Sequence, residues 1–274
     1  MRIALFQMTS GLDPAVNAAA LVDAVEQAAA GGAELLFTPE MSGFVDQNRE
    51  RSEQVIATEE SDAVLAAVRA AAAEKGIWVH LGSLALRDPD SGKRRNRGFL
   101  IDDQGEIRAH YDKIHLFDVD LPTGESWRES NTYVAGNKAA VAQTPWGKLG
   151  LTICYDLRFP DLFRALSNAG ADIISVPAAF TVPTGEAHWH ILLRARAIEA
   201  SAFIVATGQV GDHEDGRRTY GHSLVIDPWG TIILDAGDRP GLHFADVPLD
   251  RLADVRGRIP VLRHRKVIGD VVLT

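Results

Sequence analysis

The strongest constraint on the fold is that the order of patterns along the first half of the chain recurs in the second. Residues 2–7 form an apolar strand run, and 15–30 are helix formers stopped by Gly31-Gly32. Residues 34–37 read as a strand. Residues 61–75 place Val64, Leu65 and Val68 at helical spacing before Gly76, and 77–86 read as another strand. A hairpin follows, pairing Phe99-Leu100-Ile101 with Ile107-Arg108-Ala109. The second half offers strand 149–154, helix 160–167 opened by Pro160, strand 172–176, helix 187–201 and strand 203–207. It closes on a hairpin of 223–226 with 231–234. The two hairpins share a register, Leu100-Ile101-Asp102-Asp103-Gln104-Gly105 against Val225-Ile226-Asp227-Pro228-Trp229-Gly230.

Strands that are apolar throughout must be covered on both faces. Two such halves therefore predict an α/β protein, a four-layer α-β-β-α sandwich of two stacked mixed sheets. A single doubly wound sheet fits less well, because two hairpins interrupt the parallel order and no G-x-G-x-x-G opens a helix. At 274 residues and 46% hydrophobic, the chain can bury a full core without a metal or disulfide. We expect one domain over residues 1–274, built from the two halves. Between them, residues 112–147 show little periodicity, and long loops inside a compact domain are usually functional.

A net charge of −9 opposes binding to phosphate backbones or anionic lipid, so neither nucleic acid nor membrane is an expected partner. No apolar run approaches the ~20 residues of a membrane span. No leader pattern precedes the first strand, so a cytoplasmic location is expected. Cys154 is the single cysteine, which excludes an intrachain disulfide and any site needing two thiolates.

Cys154 closes the apolar run Leu149-Gly150-Leu151-Thr152-Ile153, just before a turn. Open α/β sheets place ligands at such strand ends, and backbone N–H groups there can face a forming oxyanion. The plain alternative is a small buried hydrophobe. Among the nine histidines, His115 and His222 are the best candidates to partner the thiol. His188 and His190 stand about 200° apart around a helix and cannot share a site. His80, His213, His243 and His264 show no metal-ligand spacing. Glu40 and Lys113 also follow predicted strands directly. An ionisable group beside apolar runs is costly to bury unpaired, so each is either half of a structural ion pair or part of a site. Three such groups at three strand ends favour a site.

Three segments carry a family resemblance: Phe37-Thr38-Pro39-Glu40, Tyr111-Asp112-Lys113-Ile114-His115-Leu116-Phe117 and Ile153-Cys154-Tyr155-Asp156-Leu157-Arg158-Phe159-Pro160. In this order they resemble the signature segments of the nitrilase superfamily of carbon–nitrogen hydrolases. The resemblance implies Glu40 as general base, Lys113 as the cation holding the tetrahedral intermediate, Cys154 as nucleophile and Glu129 as a supporting carboxylate. Val119-Asp120-Leu121-Pro122, Arg128-Glu129-Ser130-Asn131, His188-Trp189, Leu193–Glu199 and Tyr220-Gly221-His222-Ser223 resemble the amidases of the Nit branch. Gly208-Gln209-Val210 through His222 is closer to deaminated-glutathione amidases than to omega-amidases, while the tail from Val267 to Thr274 departs from that branch.

The implied reaction is hydrolysis of a small linear amide to carboxylate and ammonia through a thioester, with no metal or other cofactor. Tyr155, Arg158, Phe180 and Thr181 are the expected substrate contacts, with Arg158 as a carboxylate clamp or else a surface arginine. The resemblance also implies at least a homodimer, joined through helices that include the segment after Cys154. Omega-amidase action on α-ketoglutaramate, nitrile hydrolysis and a non-catalytic binding scaffold remain the alternatives.

Overall fold

A computed structural model describes residues 1–120, 124 and 126–273. Leu121 and Pro122 of the Nit-like motif, and Thr274 of the tail, lie outside the described residues. The first half runs β1 (Arg2–Gln7), α1 (Pro14–Ala30), β2 (Leu35–Phe37), α2 (Arg49–Glu53), α3 (Ala63–Lys75), β3 (Trp78–Arg87), β4 (Arg94–Ile101) and β5 (Ile107–Asp112). A connecting region carries β6 (Asp118–Asp120), β7 (Ser126–Arg128) and β8 (Ala140–Thr144). The second half runs β9 (Gly147–Leu151), α4 (Pro160–Asn168), β10 (Ile173–Ser175), α5 (Val182–Ala200), β11 (Phe203–Ala206), β12 (Val210–Asp212) and β13 (Arg218–Tyr220). Then come β14 (Leu224–Ile226), β15 (Ile232–Asp235), β16 (Gly241–Asp246), α6 (Arg251–Arg258) and α7 (Val261–His264).

The two main sheets have the orders β16-β1-β2-β3-β4-β5 and β8-β9-β10-β11-β14-β15. In each, three central parallel strands lie between one antiparallel edge strand and an antiparallel hairpin. The hairpin turns repeat in detail. Asp102 Oδ1 accepts from the N–H groups of Gln104 and Glu106, both at 2.9 Å. Asp227 Oδ1 accepts from Trp229 and Thr231 at 2.9 and 2.8 Å. Gly105 and Gly230 then close the turns at φ +76° and +86°, a region that glycine enters without steric penalty.

Alternation within β1 shows why the layers form. Ile3 and Leu5 pack into the core between the sheets, whereas Ala4 faces the cluster under α1 and α3. Asp13 caps α1 by accepting from Ala15 N, and Asp62 caps α3 by accepting from Leu65 N, both at 2.8 Å. Leu21 and Val25 of α1 and Val68 of α3 are buried, each contributing roughly 1.5–3 kcal/mol. On the far side, Phe163 and Leu166 of α4 and Trp189 and Leu193 of α5 join the core of the second sheet. The four layers are thus helix, sheet, sheet, helix. Among the described residues, no helix is long and apolar enough to cross a membrane.

Three local expectations need correction. The strand expected to reach Cys154 ends at Leu151, because the next polar groups bond elsewhere: Thr152 Oγ1 donates to Ser175 O, and Ile153 N to the Asp156 carboxylate. Helix α5 starts at Val182 rather than 187, with Pro183 in its first turn, where its missing N–H is not needed. The region 112–147 is not irregular throughout, since β6 pairs with β7 and β8 forms the edge of the second sheet.

Candidate active site

Glu40 sits three residues beyond β2, and its turn is fixed from several sides. Thr38 N donates to His80 O, Ser42 Oγ to Pro39 O, and Gln209 Nε2 to Glu40 O. Cys154 sits three residues beyond β9 and opens a 3-10 turn, Cys154–Arg158. Its backbone has φ +50° and its N–H donates to Pro177 O at 2.8 Å. A non-glycine residue in the left-handed region is costly and persists only where its surroundings over-determine it. Asp156 supplies that determination, accepting from Tyr111 Oη, Ile153 N and His115 N. Lys113 leaves β5 with its N–H bonded to Asn96 O and its carbonyl to Gly136 N.

These elements bring the four charged or nucleophilic side chains together. Lys113 Nζ donates to Glu40 Oε1 at 2.8 Å and to Glu129 Oε2 at 2.9 Å. The second Glu40 oxygen accepts from Ala179 N at 2.9 Å, and the carboxylate and the Cys154 thiol are near enough for each to act on the other's protonation. Glu129 is not a solvated loop carboxylate. Its side chain is 11% exposed and also accepts from Phe117 N at 2.7 Å.

Sequence reasoning missed Asn96, which is fully buried and donates to Glu40 at 2.8 Å and to Glu129 at 3.3 Å. An asparagine inside the buried strand β4 was the available signal, since a buried amide requires partners. Ala179 N–H was invisible, because any residue can donate from its backbone.

Electrostatics fix the protonation states. Burial alone would raise the Glu40 carboxyl, but the Lys113 charge, bonds from Lys113 and Asn96 and the nearby Cys154 thiol hold it below its ordinary value. Burial would lower Lys113, yet the charges of Glu129 and Glu40 keep it well above its usual range. Burial first, and then the negative charge of Glu40, push the Cys154 thiol well above its ordinary value. The resting cluster is therefore a carboxylate, an ammonium and a neutral thiol.

The cluster lies at the base of a crevice of about 700 Å³. Tyr155, Arg158, Phe180 and Thr181, the expected substrate contacts, all line it. The Arg158 guanidinium stands 5.4 Å from the Phe180 ring centroid and 6.0 Å from that of Tyr155. Among the described residues, it has no carboxylate within ion-pairing distance, its polar neighbour being His188 at 3.2 Å. Among the described residues, seven basic side chains line the crevice against three acidic ones, but Arg94, Arg128, Arg217 and Arg218 are paired with Glu53, Asp120, Asp215 and Asp212, which leaves Arg158 among those without an acidic partner.

Neither candidate histidine partners the thiol. His115 bonds to Asp156 at 2.6 Å and stacks on Phe159, while His222 bonds to Asp235. Asp156 and Asp235 are nearer acceptors, so both imidazoles are committed elsewhere.

A family model for carbon–nitrogen hydrolase matches residues 2–257. The chain belongs to the carbon–nitrogen hydrolase family. A deaminated glutathione amidase of Synechocystis sp. is 41% identical, covering 96% of this carbon–nitrogen hydrolase and 97% of the relative. The crystal structure of the C. elegans NitFhit protein superposes with a TM-score of 0.89 at 37% identity. It covers 97% of this chain, which spans 65% of that longer protein. An amidase from Nesterenkonia sp. AN1, described with acrylamide added at its active-site cysteine, superposes at 0.78 with 32% identity. It covers 95% of this chain and 98% of its own.

Proposed function

We propose that this carbon–nitrogen hydrolase is a deaminated-glutathione amidase that works through a thioester on Cys154. The observation that carries the reading is the convergence of the Glu40 carboxylate, the Lys113 ammonium bonded to it at 2.8 Å and the Cys154 thiol at the base of one crevice.

The chemistry follows from the protonation states. As Sγ attacks the amide carbon, Glu40 takes the thiol proton, so no free thiolate has to persist. The new oxyanion meets Lys113 Nζ and the Tyr155 N–H. The first N–H groups of a helical turn have no acceptor within it. One such donor is worth roughly 3–4 kcal/mol in a comparable site. Glu40 then returns its proton to the departing nitrogen, leaving an acyl-thioester and a free amine. Water enters and gives a proton to Glu40 while its oxygen attacks the thioester. Collapse expels the sulfur, which recovers the proton, and releases the carboxylic acid. Glu129 and Asn96 hold Lys113 and Glu40 in register throughout.

Arg158, which lines the crevice unpaired with any acid among the described residues, is the proposed clamp for a substrate carboxylate. The relatives' printed activity supplies the identity. In deaminated glutathione the scissile amide is substituted, so the amine that leaves is a dipeptide; α-ketoglutaramate would release ammonia.

Product formation from deaminated glutathione, α-ketoglutaramate and a matched nitrile separates the readings. Deaminated glutathione should show a kcat/KM at least tenfold above α-ketoglutaramate, the nitrile should be inert, and Cys154→Ala should abolish turnover. A reversed preference would make the protein an omega-amidase, nitrile turnover would make it a nitrilase, and inert wild-type protein would leave a binding scaffold.

Two features of assembly complete the proposal. Residues 1–274 are read as one domain, and a homodimer is read through the face of α4 and α5, supported by Ile191 and Ile198 of α5 standing 71% and 50% exposed.

A further inference from the structure

We propose that His190, His222 and Asp235 form a binding site for a zinc-class divalent cation outside the Cys154 crevice. His190 lies in the third turn of α5, His222 in the link between β13 and β14, and Asp235 at the end of β15. These positions are remote in sequence, which is why ligand spacing gave no sign of them.

The Asp235 carboxylate bridges the two rings, with Oδ2 at 3.0 Å from His190 Nε2 and Oδ1 at 2.9 Å from His222 Nδ1. The three candidate ligand atoms all lie within 4.8 Å of one another. Tetrahedral donors at about 2.0–2.1 Å from zinc stand roughly 3.3 Å apart. A cation entering between carboxylate and rings thus widens two contacts by a few tenths of an ångström and draws the imidazoles together. Two imidazoles and a carboxylate are a donor set that suits zinc, and it leaves a fourth position for water. Water can reach it, because the three side chains are 25–35% exposed.

The backbone supports a built site rather than a chance meeting of surface groups. His222 adopts φ +50°, a conformation that L-residues rarely take. It is held there by its N–H donating to Gly237 O at 2.7 Å and by Trp189 Nε1 donating to its carbonyl at 2.8 Å. Its ring stacks on Tyr220 at 4.5 Å between centroids. Asp235 Oδ1 also accepts from Gly237 N at 2.9 Å, which fixes the carboxylate. These contacts orient the ligands in the way that outer hydrogen bonds orient metal-bound histidines. A bound cation would fasten α5 to the hairpin of the second sheet. The start of α5 and β13 both border the crevice, so two of its walls would be tied together.

Cobalt(II) titration tests this in the Cys154→Ser background, where thiolate binding is removed. The unsubstituted site should take up one equivalent with the visible absorption of tetrahedral cobalt, displaced by zinc. His190→Gln and Asp235→Asn should each weaken binding at least tenfold. His190→Gln, at a partly exposed position of α5, should melt in EDTA close to the parent and lose the upward shift that zinc gives the parent. Equal cobalt binding by parent and variants, or no cobalt spectrum in the parent, would overturn the assignment and leave Asp235 as a hydrogen-bonding hub for two histidines.

Discussion

Cys154 and Glu40 carry the proton in the order that the reaction requires. Burial and the adjacent carboxylate raise the thiol, while Lys113 keeps Glu40 ionised despite its burial. For the thiol, the linked stability is complete below its ordinary value of 9.0 and is lost as the pH rises from there toward the raised value. For Glu40 the contribution is present above 4.5 and is lost as the pH falls through its lowered value. The ultraviolet thiolate absorbance of wild type minus Cys154→Ala should therefore show no rise between pH 7 and 9. A rise centred at or below that ordinary value of 9.0 would contradict the raised thiol. The same physics explains which residues were legible in the sequence. Glu40, Lys113 and Cys154 stood out because ionisable or nucleophilic groups beside apolar runs demand partners. Asn96 was overlooked because its neutral amide raises a weaker alarm, although its two bonds tie both glutamates to one strand. The Asp235 cluster stayed hidden because only the folded hairpin brings it to α5.

At the scale of elements, β3 shows how tightly the catalytic turn is seated. A Cβ built on Gly82 would lie 2.1 Å from Thr38 O, 2.4 Å from Pro39 O and 2.6 Å from Pro177 Cβ. Two of these atoms belong to the turn that carries Glu40, and the third to the segment whose carbonyl receives Cys154 N–H. Gly82→Ala should cost about 3 kcal/mol by chemical denaturation and lower kcat at least tenfold, because the backbone must shift. Gly76→Ala is the contrast. Its φ is +62° with nothing within 4 Å of the added carbon, so it should cost about 1 kcal/mol and leave kcat unchanged. Helices α1 and α3 were readable because helix-former runs, apolar spacing and glycine stops are local signals. The end of β9 was not, because Thr152 and Ile153 look like strand while their hydrogen bonds leave the ladder. Strands β6 and β7 are short and polar, so alternation could not reveal them. Strand β16 is defined by its six-residue pairing with β1 at the opposite end of the chain.

At the scale of the molecule, the repeat is completed by an exchange of strands. Past the first hairpin and the small β6-β7 ribbon, β8 joins the second sheet, and the strand after the second hairpin, β16, joins the first. The first sheet is not whole without β16 from the second half, nor the second without β8 from the connecting region, so we expect one cooperative denaturant transition and, by light scattering, twice the mass of one chain. Two transitions, or a monomer, would contradict the one-domain or the dimer proposal respectively. The stacking of the sheets was legible from the repeated pattern, whereas the exchange was not, since it depends on pairings between distant segments. The stacking also lets Glu40, from the first sheet, reach Cys154, from the second. The most direct test of that convergence is peptide-mapped mass spectrometry of wild-type enzyme quenched in acid during turnover of saturating amide. The peptide bearing Cys154 should gain the mass of the acyl group; an unmodified Cys154 at every quench time, or acylation at another residue, would contradict the thioester mechanism.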